Sequence, residues 1–107
     1  MTNKALFDAG YKVGLITKVA PEDPYEMSTF HDDYKIGFIL GHSYSQGVQA
    51  ASGIMDAMTA GELAFRYHVP VRQVLDMAGY DGEQVRIFED AYRQAHENYL
   101  EAEGNED

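Results

Sequence analysis

The sequence predicts an all-α fold: a single small helical domain of about four to five helices, with a helix-turn-helix-like corner and a long acidic C-terminal helix. Apolar residues recur at three- and four-residue steps over most of the chain, which is the period of an amphipathic helix. No segment shows the sustained alternation of a half-buried strand. The 107 residues, 45% of them hydrophobic, suffice for one core and are too few for two. The domain is drawn over residues 1–102, with 103–107 as a frayed acidic tail.

The first helix runs from Lys4 to Lys18, with Leu6, Phe7, Gly10, Val13 and Gly14 on neighbouring turns. Pro21 and Pro24 stop it, because proline removes donors and biases the preceding residue toward extended backbone. Ser28 or Thr29 is placed as the cap of a second helix through Phe30, Tyr34, Ile36, Phe38, Ile39 and Leu40 toward Ala50, the most apolar stretch of the chain. Ser52-Gly53 interrupts it or sets off a short Ile54–Met58 segment. Thr59 and Glu62 have capping-box spacing and open a short helix to about Tyr67. Pro70 suits the first position of the next helix and Gly79 its end. Asp81-Gly82-Glu83-Gln84 is a second capping signal, opening a helix to about Ala102. In it Val85, Phe88, Tyr92, Ala95 and Tyr99 follow a heptad, which is read as docking on the protein's own core, with a homodimer left open.

The first two helices repeat each other. Phe7-x-x-x-Tyr11-Lys12-Val13-Gly14-Leu15-Ile16 aligns without gaps on Phe30-x-x-x-Tyr34-Lys35-Ile36-Gly37-Phe38-Ile39. Gly10 and Gly14, and Gly37, Gly41 and Ser45, put small residues one turn apart, so two backbones are expected to approach closely there. A small-molecule pocket lined by Gly37, Phe38, Gly41, Tyr44 and Tyr67 is the competing reading.

Glu62 to Met77 resembles a helix-turn-helix. Leu63, Ala64, Tyr67, Val69, Val74 and Met77 fall where that motif buries side chains, although His68 stands where it prefers glycine. Arg72 and Gln73 are its candidate base readers, and the acidity around them favours a structural corner over a DNA-binding one.

Over Phe7 to Tyr80, the blocks Asp33–Ser43 and Thr59–Tyr67 resemble the YghW-like family of small bacterial proteins of unknown function. The resemblance implies a small helical fold and supplies no catalytic residues, and the acidic helix after Asp81 departs from the family pattern.

Chemistry-bearing groups are sparse. The absence of cysteine removes disulfides, thiolate metal sites and a cysteine nucleophile. His31, His42, His68 and His96 show no paired metal-ligand spacing, and His31-Asp32-Asp33 is read as a solvated helix start. Gly41 to Gly47 lacks the Gly-Lys-Ser/Thr ending of a phosphate loop, and Ser43 and Ser45 have no adjacent base. No enzyme, cofactor or metal is expected.

Charge is the remaining feature. Eight Lys and Arg against 18 Asp and Glu leave −10, and from Asp81 onward nine acids face two bases. Glu83, Asp90, Glu97 and Glu101 form a stripe on the last helix, with Glu89 and Glu103 placed beside it. Such a stripe can imitate a row of phosphates. The expectation is a cytoplasmic, non-enzymatic protein-binding module: an inhibitor or regulator that occupies a basic or nucleic-acid-binding surface of another protein, with no membrane segment. Its competitor is a helix-turn-helix regulator using Arg72 and Gln73.

Overall fold

The computed structural model describes residues 3–104. Five α-helices and one 3-10 turn are formed among these residues, without a strand: α1 (Lys4–Ile16), the turn Pro24–Met27, α2 (Asp32–Ala50), α3 (Gly53–Arg66), α4 (Val71–Ala78) and α5 (Gly82–Gly104). The all-α expectation holds.

Local signals set the helix ends. Asn3 caps α1, its side chain accepting from the Leu6 N–H at 3.2 Å. The cap of α2 differs from expectation. Ser28 ends the 3-10 turn, its hydroxyl donating to the Tyr25 carbonyl at 2.8 Å, and α2 starts four residues later under His31, whose Nδ1 accepts from the Asp33 N–H at 3.1 Å. A left-handed Ala51 (φ 52°) reverses the chain after α2, and the Ser52 side chain accepts from the Met55 N–H at 3.2 Å to open α3. Thr59 to Glu62 therefore lie inside α3 rather than at its start, because the hydroxyl at Ser52 captures an orphan donor about two turns earlier. Gly79 (φ 67°) ends α4 as expected. The second capping box also forms: Asp81 Oδ1 accepts from the Gln84 N–H at 2.8 Å, and Gln84 Oε1 accepts from the Asp81 N–H at 3.3 Å. Of the acidic tail placed at 103–107, residues 103–104 continue α5 and 105–107 lie outside the described residues.

The helices pack with α2 and α3 in the middle, α1 outside α2 and α5 outside α3, while α4 closes over α2. Gly10 lies against Tyr34 and Phe38, and Gly14 against Phe38 and His42, so α1 and α2 run parallel. The return loop 17–31 buries Ala20 and Met27 and is pinned at the Pro21 carbonyl, which accepts from the Tyr67 hydroxyl at 2.6 Å and from Arg66 at 3.2 Å. Gln84 Nε2 donates to the Gly53 carbonyl near the starts of α3 and α5, and Phe65 meets Tyr92 further along, so this pair is parallel too. The core gathers Ile36, Ile39, Ala60, Leu63, Tyr67, Val74 and Phe88. All residues of α2 from Lys35 to Ser43 are buried, as befits a helix enclosed by neighbours on more than one side.

The repeat has a structural counterpart. Phe7 stacks on Tyr11 and Phe30 on Tyr34, one pair at the start of α1 and the other leading into α2. Gly14 and Gly37, equivalent in the repeat, both face the opposite helix of the same pair. The heptad on α5 docks inside the molecule, with Phe88 fully buried and Tyr92 packed against the core.

Candidate functional site: an acidic-rimmed groove between α3 and α5

Gly61 brings α3 and α5 together, because it sits directly against the Phe88 carbonyl, with Ala91 Cβ 3.0 Å from where its own Cβ would stand. On one side of this seam stands Phe65, whose ring meets those of Tyr92, His96 and Tyr99 at centroid separations of 5.6, 5.4 and 5.9 Å, and Phe65, His96 and Tyr99 line a cavity of about 670 Å³ there with His68 and Arg66. The other side is open as well. There Ile54, Met55 and Met58 of α3 and Ile87, Ala91 and Ala95 of α5 line a groove of about 550 Å³, with Thr59, Gln94 and Asn98 as neutral polar neighbours. Ile54, Met55 and Met58 are 49, 40 and 46% exposed, a contiguous apolar run on the surface.

The charged side chains lining the groove are both acids, Glu62 and Asp90. Glu62 holds Arg66 at 3.0 Å and Asp90 holds Arg93 at 2.9 Å. Glu83, Asp90, Glu97 and Glu101 are all exposed. At about 100° per residue they fall within about 40° of one another around α5, so the stripe follows the rim on which Asp90 stands. Glu89 is also exposed but lies about 100° farther round, separated from the stripe by Arg86 and Arg93. Glu103, also exposed, lies about 140° from the stripe and accepts from the Tyr99 hydroxyl at 2.8 Å, so neither Glu89 nor Glu103 stands beside it. The methionine floor was hidden in the sequence by the short segment drawn at Ile54–Met58; its signal is an apolar Ile54-Met55-x-x-Met58 run next to the core-facing Ala57, Ala60 and Ala64 of the same helix.

The helix-turn-helix corner keeps its backbone signature. His68 adopts φ 56°, the left-handed turn conformation, and Leu63, Ala64, Tyr67, Val69 and Val74 are buried. Met77 departs from the expectation: it is 38% exposed, and Leu75 and Ala78 pack against the core instead. Arg72 and Gln73 are exposed at the start of α4, with Asp76 exposed one turn on.

The glycine-lined pocket is not formed, because the backbones of Phe7 and Tyr11 fill the space beside Gly37 and Gly41. His31 is exposed, yet Asp33 beside it is buried and accepts from the Asn3 N–H at 2.7 Å, tying the starts of α1 and α2; the solvated helix start is corrected at that residue. His42 is buried, with Nδ1 3.0 Å from the Thr17 carbonyl, so Nδ1 carries the donated proton; burial holds its pKa below the ordinary 6.5. Burial likewise raises the pKa of Asp56, whose carboxylate accepts from the Tyr80 hydroxyl at 2.7 Å, and that carboxylate and burial together push the Tyr80 pKa up. This bond fastens the α4–α5 turn to α3. Among the described residues no group of three or more His, Cys, Asp or Glu side chains is placed to hold a metal, and no helix is long and apolar enough to cross a membrane.

Residues 1–94 match the model of a family described as a protein of unknown function, DUF2623. The chain belongs to this family. Neither a curated protein nor a solved structure matches it. The family match ends within α5, after Asp90 and before Glu97 and Glu101.

Proposed function

We propose that this protein is a non-enzymatic acidic binding module that occupies a basic surface of another protein, in the sharpest form the nucleic-acid-binding surface of a target it inhibits or regulates. One observation carries the reading: the stripe Glu83, Asp90, Glu97 and Glu101 is exposed along a groove whose charged lining is wholly acidic. With a net charge of −10 the field over this face attracts cations and repels phosphate backbones. A likeness to YghW-like proteins, supported by the Asp33–Ser43 and Thr59–Tyr67 blocks, is part of the same proposal and brings no activity with it. Cytoplasmic residence belongs to the proposal as well.

The experiment is capture from bacterial lysate on the immobilised protein, with and without nuclease, alongside a variant carrying Glu83→Gln, Asp90→Asn, Glu97→Gln and Glu101→Gln. A specific partner is expected to survive nuclease, to elute as salt rises, and to bind the variant at least tenfold more weakly. Tight binding unchanged in the variant sinks the reading. Recovery that depends on intact DNA supports the second reading, a helix-turn-helix DNA binder. That reading has one observation in its favour, the left-handed turn at His68 with Arg72 and Gln73 exposed just beyond it. In that case alanine at both positions abolishes duplex binding at low salt.

A further inference from the structure

We infer that the groove between α3 and α5 seats a basic amphipathic α-helix of a partner protein, about three turns long, with its apolar side on Ile54, Met55 and Met58 and its lysines or arginines on the acidic rim. This rests on the acidic-module reading and names the partner chemistry at its site. Three features converge on that occupant.

The first is the floor. Two methionines and an isoleucine left 40–49% exposed form a run that water solvates poorly, and unbranched thioether side chains reshape readily around the ridges of an incoming helix. The second is length. From Ile87 to Asn98 the α5 wall advances 11 residues, about 16 Å at 1.5 Å per residue, which matches three turns presenting anchors at i, i+4 and i+7.

The third feature is charge. Glu62 and Asp90 are the charged groups lining the groove, and Glu83, Glu97 and Glu101 continue the α5 rim beyond Asp90. Arg93 already pairs with Asp90, but both side chains are more than half exposed, so an arriving cation displaces a weak surface pair. A second copy of this chain is a poor occupant, because it brings another charge of −10 to a face of the same sign. Cationic residues flanking an apolar helical stripe satisfy the floor and the rim together.

The test uses the full chain with its methionine methyl groups labelled with carbon-13 and read by NMR. Resonances are assigned by Met→Leu substitution. The probe is an 18-residue peptide of leucine and lysine with leucines at helical spacing; its control has the same composition with the leucines scattered. Saturable shifts are expected at Met55 and Met58, with buried Met27 unmoved. The control peptide and a Met58→Glu variant are each expected to bind at least tenfold more weakly. An unperturbed Met27 signal in that variant establishes that it is folded, and a Met55→Glu variant repeats the measurement at the neighbouring side chain. If both peptides bind alike while Met55 and Met58 stay fixed, the groove inference fails and the acidic surface stands. Absence of binding by either peptide overturns the groove inference and counts against the parent reading too. Shifts that follow protein concentration without peptide, accompanied by a doubled mass in light scattering, assign the groove to a second copy and overturn it as well.

Discussion

His42 sits almost fully buried at the α1–α2 contact, with its ring stacked on Phe38 and Nδ1 facing the Thr17 carbonyl just past the end of α1. In the folded protein burial favours the neutral imidazole, while the unfolded chain takes a proton near the ordinary 6.5. The folded pKa is therefore depressed. The stabilisation is complete above about pH 6.5 and is lost as pH falls from there through the lower folded value. Urea midpoints measured from pH 7.5 down to pH 5 are expected to decline in the native sequence, and His42→Gln is expected to flatten that part of the curve. An unchanged slope in the variant means another group carries the effect. Asp56 works with the opposite sign: its raised pKa makes ionisation costly as pH rises above the ordinary 3.8.

At the level of elements, the parallel pair α1–α2 depends on glycines that have no room for a side chain. A methyl group on Gly37 would overlap the Phe7 carbonyl, and one on Gly41 the Tyr11 carbonyl. These neighbours are helix backbone and cannot rotate away, so the helices must separate. Gly37→Ala is expected to destabilise the protein by about 1–3 kcal/mol, after the roughly 1 kcal/mol gain in helix propensity is counted. Gly82 provides the contrast, since nothing lies within 4 Å of its added Cβ at the start of α5. There alanine is expected to stabilise by about 0.5–1 kcal/mol. Denaturant unfolding of the two variants checks both signs, and equal effects would remove the close-approach argument.

Over the whole molecule, a charge of −10 on 107 residues pushes the folded chain apart from within. The ion pairs Lys4–Asp8, Asp32–Lys35, Glu62–Arg66 and Asp90–Arg93 each have at least one partner well exposed and offset little of this. Raising sodium chloride from 0.05 to 0.5 M shortens the screening length from about 14 to about 4 Å. The thermal midpoint is expected to rise by about 2–5 °C, as followed by circular dichroism. A midpoint that falls with salt would show that attraction among these charges outweighs repulsion. The same screening weakens the proposed complex, so stability and binding should respond to salt in opposite directions.

Short-range features were legible in the sequence. Asp81 with Gln84, Gly79 after α4 and the left-handed turn at His68 act through neighbours a few residues away, so residue type and spacing specify them. The reach of helical periodicity is similarly short, and the all-α class followed from it. Where two local signals compete, local reading errs: Thr59–Glu62 had the right spacing for a cap, but Ser52 opened the helix first, and His31 capped α2 in place of Ser28 or Thr29. Of the candidate site, the acids of α5 were read from charge and spacing alone. Only the tertiary structure set Asp90 on the rim of a groove with Met55 and Met58, because the groove is lined by two helices distant in sequence that the close approach at Gly61 brings side by side. It also decided that α1 and α2 run parallel and that their glycines meet backbone rather than a ligand, since which surfaces meet depends on how the return loop and the core are buried together.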